Sequence, residues 1–238
     1  MIDDMDISSI QIITFDCYGT LIDWETGMLA ALRLLFSGHA HVSDEQFLAM
    51  YGEIEAQLEA GPYLTYRTVL SQTAQEMGRR LGASVSAEDC QQFAESLKKW
   101  APFSDTVESL QALARHYQLG IISNTDDDLF AASHQLLKAP LAMIVTAQQV
   151  KSYKPSLKNF QEAMKRAGVP KENILHAGQS LYHDIAPANT LGLKNVWVNR
   201  RFGKQGPGAT VAGDARPMLE VRSLAELART LVPEGKAV

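Results

Sequence analysis

Ile10-Gln11-Ile12-Ile13-Thr14-Phe15-Asp16-Cys17-Tyr18-Gly19-Thr20 is the stretch from which the rest of the chain is read. An apolar run of strand length ends in a carboxylate, and a turn follows at once. A carboxylate at the tip of a buried strand is costly unless it is used or paired. In open α/β sheets, ligands bind at the carboxyl ends of the strands. Gly19 lets the chain turn sharply and would leave backbone N–H groups free to face an anion. Asp16 therefore reads either as a nucleophile or metal ligand, or as an aspartate that caps a turn. The other strand ends decide between these.

Downstream of Asp16 come helical patterns with no clear strand. Trp24 to Phe36 carries Met28, Leu29, Leu32, Leu35 and Phe36 at helical spacing. Ser43-Asp44-Glu45-Gln46 looks like a capping box opening a helix to about Leu58, which Gly61-Pro62 breaks. Further helices are expected from Leu64 to Leu81, stopped by Gly82, and from Ser86 to Trp100. After Pro102 the pattern alternates. Helices are expected over Asp105–His116, Asp128–Leu137, Pro155–Ala167 and Asp184–Leu191. Strands are expected over Leu119–Ile122, Met143–Val145, Ile174–Ala177 and Val196–Asn199. Residues 203–213, with four glycines and a proline, read as an exposed loop; Met218–Val221 and Leu224–Leu231 read as an edge strand and a last helix. The alternation predicts an α/β fold with a parallel sheet and helices on both faces. The expected division is a core of residues 1–21 and 102–238 and a helical cap of residues 22–101. A cap inserted there would lie over the strand ends like a lid.

Composition bounds the partners. The 238 residues are 46% hydrophobic and 21% charged, with a net charge of −5 and no long basic run. That argues against nucleic acid or an anionic membrane as partner. Cys17 and Cys90 form no metal-type pair and no disulfide framework, which fits a reducing compartment. Met1–Ser9 is acidic and polar, unlike a signal peptide, and no apolar run approaches the roughly 18 residues of a membrane span. The expectation is a cytoplasmic protein acting on a small anionic molecule.

Polar residues recur at the expected strand ends: Asp16 and Thr20; Ser123 and Asn124; Gln179, Ser180 and Asp184. Lys154 lies between Tyr153 and Pro155, ahead of a helix. A parallel sheet brings all these ends to one edge. A strand-end carboxylate, a hydroxyl, a lysine and a second carboxylate together form a covalent-catalysis set. Singly, each has a plain alternative: Ser123 and Asn124 as turn formers, Lys154 as a solvated lysine, Asp184 as a first-turn helix acid.

Asp16-x-Tyr18-Gly19-Thr20, Ser123-Asn124, Tyr153-Lys154-Pro155 and Ser180-x-x-x-Asp184 resemble, in this order, the four motifs of the haloacid dehalogenase (HAD) superfamily. Within it the chain is most similar to the type II L-2-haloacid dehalogenases. The resemblance covers essentially the whole chain. It implies a Rossmann-like core with a C1-type cap and hydrolysis of short 2-haloalkanoic acids to 2-hydroxy acids through an aspartyl ester. It makes Asp16 the nucleophile, with Thr20 and Lys154 stabilising its ionised form. Ser123 and Asn124 would hold the substrate carboxylate, and Ser180 and Asp184 would orient Lys154 or the hydrolytic water. Tyr18 and Gln179 would border the substrate, and Phe160 would supply an apolar wall. A halide-binding arginine is expected on the second cap helix, where rough alignment puts Gly52; Arg67, with Tyr63 and Tyr66, is the stand-in. A homodimer through the cap is a further implication.

Chemistry separates two branches of that superfamily. The phosphatase branch carries a second aspartate two residues after the nucleophile, where this chain has Tyr18. An alkoxide leaving group needs an acid, and a halide does not. Phosphatases also usually place an aspartate where this chain has Gln179, and an amide is a weaker ligand for Mg²⁺ than a carboxylate. No cofactor is expected. The alternatives are a Mg²⁺-dependent small-molecule phosphatase, holding the ion on Asp16 and Asp184, and a non-catalytic HAD-fold binding protein. His39-x-His41 reads as solvated, His183 as a helix-start residue near the site, Cys17 as a packed thiol, and Asp126-Asp127-Asp128 as helix-start charge.

Overall fold

Strand β1 (Ile12–Phe15) is buried along its whole length. In the computed structural model, which describes residues 6–204, 206 and 208–232, it lies at the centre of a six-stranded sheet of order β3-β2-β1-β4-β5-β6. Its neighbours are β2 (Gln118–Ser123) and β4 (Ile174–Gly178), with Phe15 level with Ile121 on one side and Ala177 on the other. Outside these lie β3 (Met143–Thr146), β5 (Lys194–Val198) and β6 (Leu219–Val221). Every pairing is parallel. This explains why the central strands read as apolar runs rather than alternations: both faces are covered. It also puts every strand's carboxyl end on one edge, with β1 and β4 at the middle of it.

Between β1 and the rest of the sheet come four helices: α1 (Trp24–Leu35), α2 (Asp44–Glu59), α3 (Tyr66–Leu81) and α4 (Ala87–Ser96). Both expected capping boxes form, Ser43 with Gln46 and Ser86 with Asp89, and Gly82 ends α3 in the left-handed conformation. Met28, Leu32, Phe47, Tyr51, Val69, Leu70, Met77 and Phe93 fill the space among these helices. The chain leaves and re-enters the sheet region side by side. Ile22 bridges Pro102, Asp23 N–H donates to Ala101 O at 2.8 Å, and Phe103 N–H donates to Leu21 O at 3.1 Å.

The remaining helices are α5 (Thr106–Leu113), α6 (Asp127–Leu137), the single turn α7 (Ala147–Val150), α8 (Leu157–Ala167), α9 (Ala186–Leu191) and α10 (Leu224–Leu231). Helix α8 begins at Leu157, not Pro155, because Ser156 caps it. The helix expected from Asp184 begins instead as a wide π-type turn, Leu181–Ile185, before α9. Such turns recur at functional sites because they re-aim side chains.

The stretch read as an exposed loop, 203–213, is irregular and mostly exposed at its described residues, with one inward exception. Ala209 is 2% exposed. A Cβ on Gly52 of α2 would lie 2.5 Å from the Ala209 carbonyl oxygen. The loop's inner part is thus wedged between α2 and the sheet edge, and α2 admits it only because residue 52 has no side chain.

Candidate active site

Asp16 continues β1 beyond its last paired residue and is 8% exposed. Its Oδ1 accepts a hydrogen bond from Lys154 Nζ at 2.8 Å, and its Oδ2 accepts from Thr20 Oγ at 2.6 Å. Lys154 is 2% exposed; its ammonium also donates to Asp184 Oδ1 at 2.7 Å and Ile122 O at 3.0 Å. All three ammonium hydrogens are therefore placed. Thr20 Oγ accepts in turn from the Gln179 N–H at 2.9 Å, so β4's loop fixes the hydroxyl that fixes Asp16. Arg200 donates to the Thr20 carbonyl at 3.1 and 3.0 Å and bonds Asp105 at 3.0 Å, which anchors the turn from below.

Asp184 is held as tightly. Its Oδ1 lies 3.2 Å from His176 Nε2, whose Nδ1 is 2.9 Å from Thr14 Oγ, and its Oδ2 accepts from Ser180 N–H at 3.3 Å. Gly178 makes the approach possible: a Cβ there would sit 2.5 Å from the Asp184 side chain. The charges are two carboxylates around one ammonium. Burial pushes Asp16 above the ordinary aspartate range, against the pull of Lys154. Burial also opposes ionisation of Asp184, but Lys154 and His176 outweigh it and hold that carboxyl well below the usual range. Lys154 is raised: burial would lower it, and the two carboxylates more than compensate.

Of the residues expected at the site, Asp16, Tyr18, Ser123, Asn124, Lys154, Gln179, Ser180 and Asp184 line one cleft of about 490 Å³, mouth included. Thr20 stands directly behind Asp16. The Tyr18 hydroxyl shares a 3.0 Å hydrogen bond with Ser133 Oγ, so its ring borders the cleft while its polar tip is spent elsewhere. Ser123 Oγ is buried without a hydrogen-bond partner.

Three expectations need correction. Arg67 does not reach the cleft: its guanidinium pairs with Glu95 at 2.5 Å and Asp128 at 2.6 Å. Phe160 is not a cleft wall; it is fully buried under the sheet and meets the His176 ring edge-on at 4.9 Å. Gly19 N–H is not free for an anion, because it donates to Ile22 O at 2.9 Å. The acidic run also does more than charge a helix start. The Asp126 carboxylate accepts from Tyr66 N–H and Arg67 N–H, both at 2.9 Å, and so caps α3 from the sheet edge.

Sequence reasoning missed Trp24, Glu55, Glu59, Ala209 and Thr210, which also line the cleft, as does Tyr66, which was expected there beside Arg67. Tyr51, Glu55 and Glu59 stand at i, i+4 and i+8 on α2, a spacing that puts them on one face and was readable in advance. Glu55 Oε1 accepts from Tyr51 OH at 2.8 Å and Tyr66 OH at 2.7 Å. Burial pushes Glu55 up to about 7. Part-buried Glu59 accepts from Asn124 Nδ2 at 3.2 Å; burial first, and Glu55 second, raise its carboxyl well above the usual range. His183 borders the cleft as well, held down to about 4 by burial and hence neutral at neutral pH, with Nδ1 3.2 Å from Ser180 Oγ.

The donor set does not suit Mg²⁺. A hard dication wants several free oxygens. Asp16 and Asp184 already share the Lys154 ammonium, and the third position is the Gln179 amide, whose Oε1 lies 3.3 Å from Thr210 Oγ. Among the described residues no group of three or more metal-ligating side chains occurs.

Residues 13–198 match the sequence profile of the haloacid dehalogenase-like hydrolase family. The chain belongs to this family. As a member of the haloacid dehalogenase-like hydrolases it is 27% identical to an (S)-2-haloacid dehalogenase of Pseudomonas putida over 95% of its own length and 98% of that protein's. It is also 27% identical to a glyceraldehyde 3-phosphate phosphatase of Methanothermobacter thermautotrophicus, over 50% of its length and 58% of the phosphatase's. Its fold superposes on the L-2-haloacid dehalogenase of Xanthobacter autotrophicus with chloropropionic acid covalently bound, with a TM-score of 0.78 at 17% identity, covering 96% of this chain and all of the other. The family's enzymes are hydrolases. No described helix of this member is long and apolar enough to cross a membrane.

Proposed function

We propose that this hydrolase displaces halide from carbon through an ester of Asp16, with short 2-haloalkanoic acids as the first class to test, a reading supported by its likeness to an (S)-2-haloacid dehalogenase. The observation that carries this is the buried Asp16 carboxyl, hydrogen-bonded by Lys154 and Thr20, with Tyr18 where a leaving alkoxide would need an acid.

In the first step an Asp16 oxygen attacks the halogen-bearing carbon and the carbon–halogen bond breaks, the halide leaving with the electron pair. Desolvation strengthens the nucleophile. In the second step water attacks the ester carbonyl. The charge that develops on its oxygen falls beside the Lys154 ammonium and the Thr20 hydroxyl, which are already in place. His183 borders the cleft but, held down to about 4, is a weak base, and Asp184 is committed to Lys154, His176 and Ser180, so the water's proton is released with the products. Products are the 2-hydroxy acid, halide and a proton. The helices of residues 22–101 act as the lid that excludes bulk water.

Single turnover in ¹⁸O water with enzyme in excess tests the ester. The label is expected in the Asp16 carboxylate and not in the product; label in the product alone sinks the reading. The second reading, a phosphatase, is favoured by the Methanothermobacter thermautotrophicus relative. It requires phosphate release that depends on Mg²⁺, against halide release that does not.

A further inference from the structure

Resting on the carbon–halogen reading above, we propose that the cleft selects zwitterionic 2-halo acids, whose side chain ends in an ammonium group, and that Glu55 and Glu59 of α2 receive that group. The acid's own carboxylate keeps the place beside Ser123 and Asn124 that a simple 2-haloalkanoic acid would use.

Unmatched acid groups are the first reason. Four acids are buried among the described residues: Asp16, Glu55, Asp126 and Asp184. Lys154 stands against Asp16 and Asp184, and Arg67 lies 3.9 Å from Asp126. Glu55, and Glu59 one turn further along α2, receive neutral donors instead, the Tyr51 and Tyr66 hydroxyls and the Asn124 amide. No cation among the described residues pairs with either. Both line the cleft from α2, the helix on which an arginine was expected. That wall is thus a place to receive positive charge, not a source of it. Buried acids without a counter-ion are unfavourable, and a bound cation repairs them. The raised carboxyls agree: burial is the main cause in both, so each holds its proton in the empty cleft more tightly than an ordinary glutamate. An arriving ammonium displaces a proton and leaves an ionised carboxylate facing it.

The placement of open hydrogen-bonding atoms is the second reason. Both tyrosine hydroxyls donate to Glu55 Oε1, and Asn124 donates to Glu59 Oε2. Glu55 Oε2 and Glu59 Oε1 are left without a donor among the described residues, and their i, i+4 spacing sets the two carboxyls on one face. In the same cleft Ser123 Oγ is buried without a partner, a donor open to a carboxylate. Ser123 adjoins Asn124, which bonds Glu59, so the two ends of the ligand lie only a short chain apart. A 2-halo acid with an amine a few carbons along its side chain spans that gap. Trp24 and Tyr66 border the cleft as well, and aromatic rings favour alkylammonium groups over neutral ones. The covalent steps are unchanged. Asp16 attacks the halogen-bearing carbon, the C–Cl bond breaks and chloride takes the electron pair; water then frees Asp16 and yields the 2-hydroxy acid and a proton.

The experiment compares chloride release from 2-chloro-4-(trimethylammonio)butanoate, which cannot cyclise, with that from 2-chloro-5,5-dimethylhexanoate, the isostere with carbon in place of nitrogen. Both enantiomers of each are used, with Asp16→Asn as the blank for alkylation of thiols. We expect kcat/KM at least tenfold higher for the ammonium compound. Glu55→Gln and Glu59→Gln should each cut that ratio at least threefold, chiefly through KM. Competitive inhibition of the unsubstituted enzyme by 4-aminobutanoate against its isostere pentanoate reads the same preference if the variants do not fold, with a Ki at least tenfold lower expected for 4-aminobutanoate. Equal or faster turnover of the dimethylhexanoate, or tighter binding of pentanoate, overturns the proposal and leaves the carbon–halogen reading standing. A ratio unmoved by both substitutions overturns the role of Glu55 and Glu59. No chloride and no Asp16 ester from either compound overturns the carbon–halogen reading, and the proposal falls with it.

Discussion

Thr20 shows how little freedom the nucleophile has. Its hydroxyl donates to Asp16 Oδ2 and accepts from the Gln179 N–H, so one oxygen ties two strand ends together. Thr20→Val deletes both bonds at nearly constant volume and strands a backbone donor, at a cost of about 1–3 kcal/mol. Thr20→Ser keeps the oxygen. The expected outcome is a drop in kcat for Val with recovery in Ser; equal loss in both would mean that packing, not the hydroxyl, matters. Lys154→Met is harsher. It leaves Asp16 and Asp184 buried without their shared cation, which costs roughly 3–5 kcal/mol of stability. Halide release should fall at least about 100-fold. Because burial raises Asp16 and catalysis needs its ionised form, activity is lost as pH falls through the folded value. The acid limb of the rate profile should therefore stand above the ordinary aspartate range.

Among the elements, the strands were legible and the contacts between them and the helical insert were not. Ile12–Phe15 and Ile174–Gly178 betray themselves as apolar runs because both of their faces are covered. Capping boxes mark α2 and α4 because those bonds are local. Arg67 went astray because a helix position shows only that a side chain is polar, not that Glu95 of α4 and Asp128 of α6 would receive it. Gly52 could not be read as a close approach without knowing that Ala209 packs against α2 there. Glu55 and Glu59 were legible as a stripe but not as a cleft wall, since nothing local says which face of α2 looks at Asp16. The link with most mechanical consequence is Asp126, which supplies both acceptors for the first N–H groups of α3. Asp126→Ala removes a cap formed across the two parts of the chain and should cost about 1–2 kcal/mol. Hydrogen exchange should speed up in the first turn of α3 and leave β1 and β4 protected. Equal acceleration in the sheet would show that Asp126 supports the global fold, not this joint.

For the whole molecule, the buried carboxyl of Glu55 ties stability to pH in a sense opposite to that of a paired acid. Its folded value is pushed up to about 7 from an ordinary 4.5, chiefly by burial, while the Tyr51 and Tyr66 hydroxyls pull it back. Between those values the folded chain keeps a proton that the unfolded chain has released. Stability therefore falls as pH rises through this window and levels off above it. The size is on the order of 3 kcal/mol, from the shift at about 1.4 kcal/mol per unit. Glu59, also raised by burial, adds in the same direction. Glu55→Gln keeps an oxygen for the two tyrosines and removes the titration. Urea unfolding at pH 5 and pH 8 should show the unsubstituted protein losing stability across this interval, and the variant losing distinctly less. An equal loss in both would mean that Glu55 is already ionised at neutral pH. The cleft would then carry a fixed negative charge at Glu55.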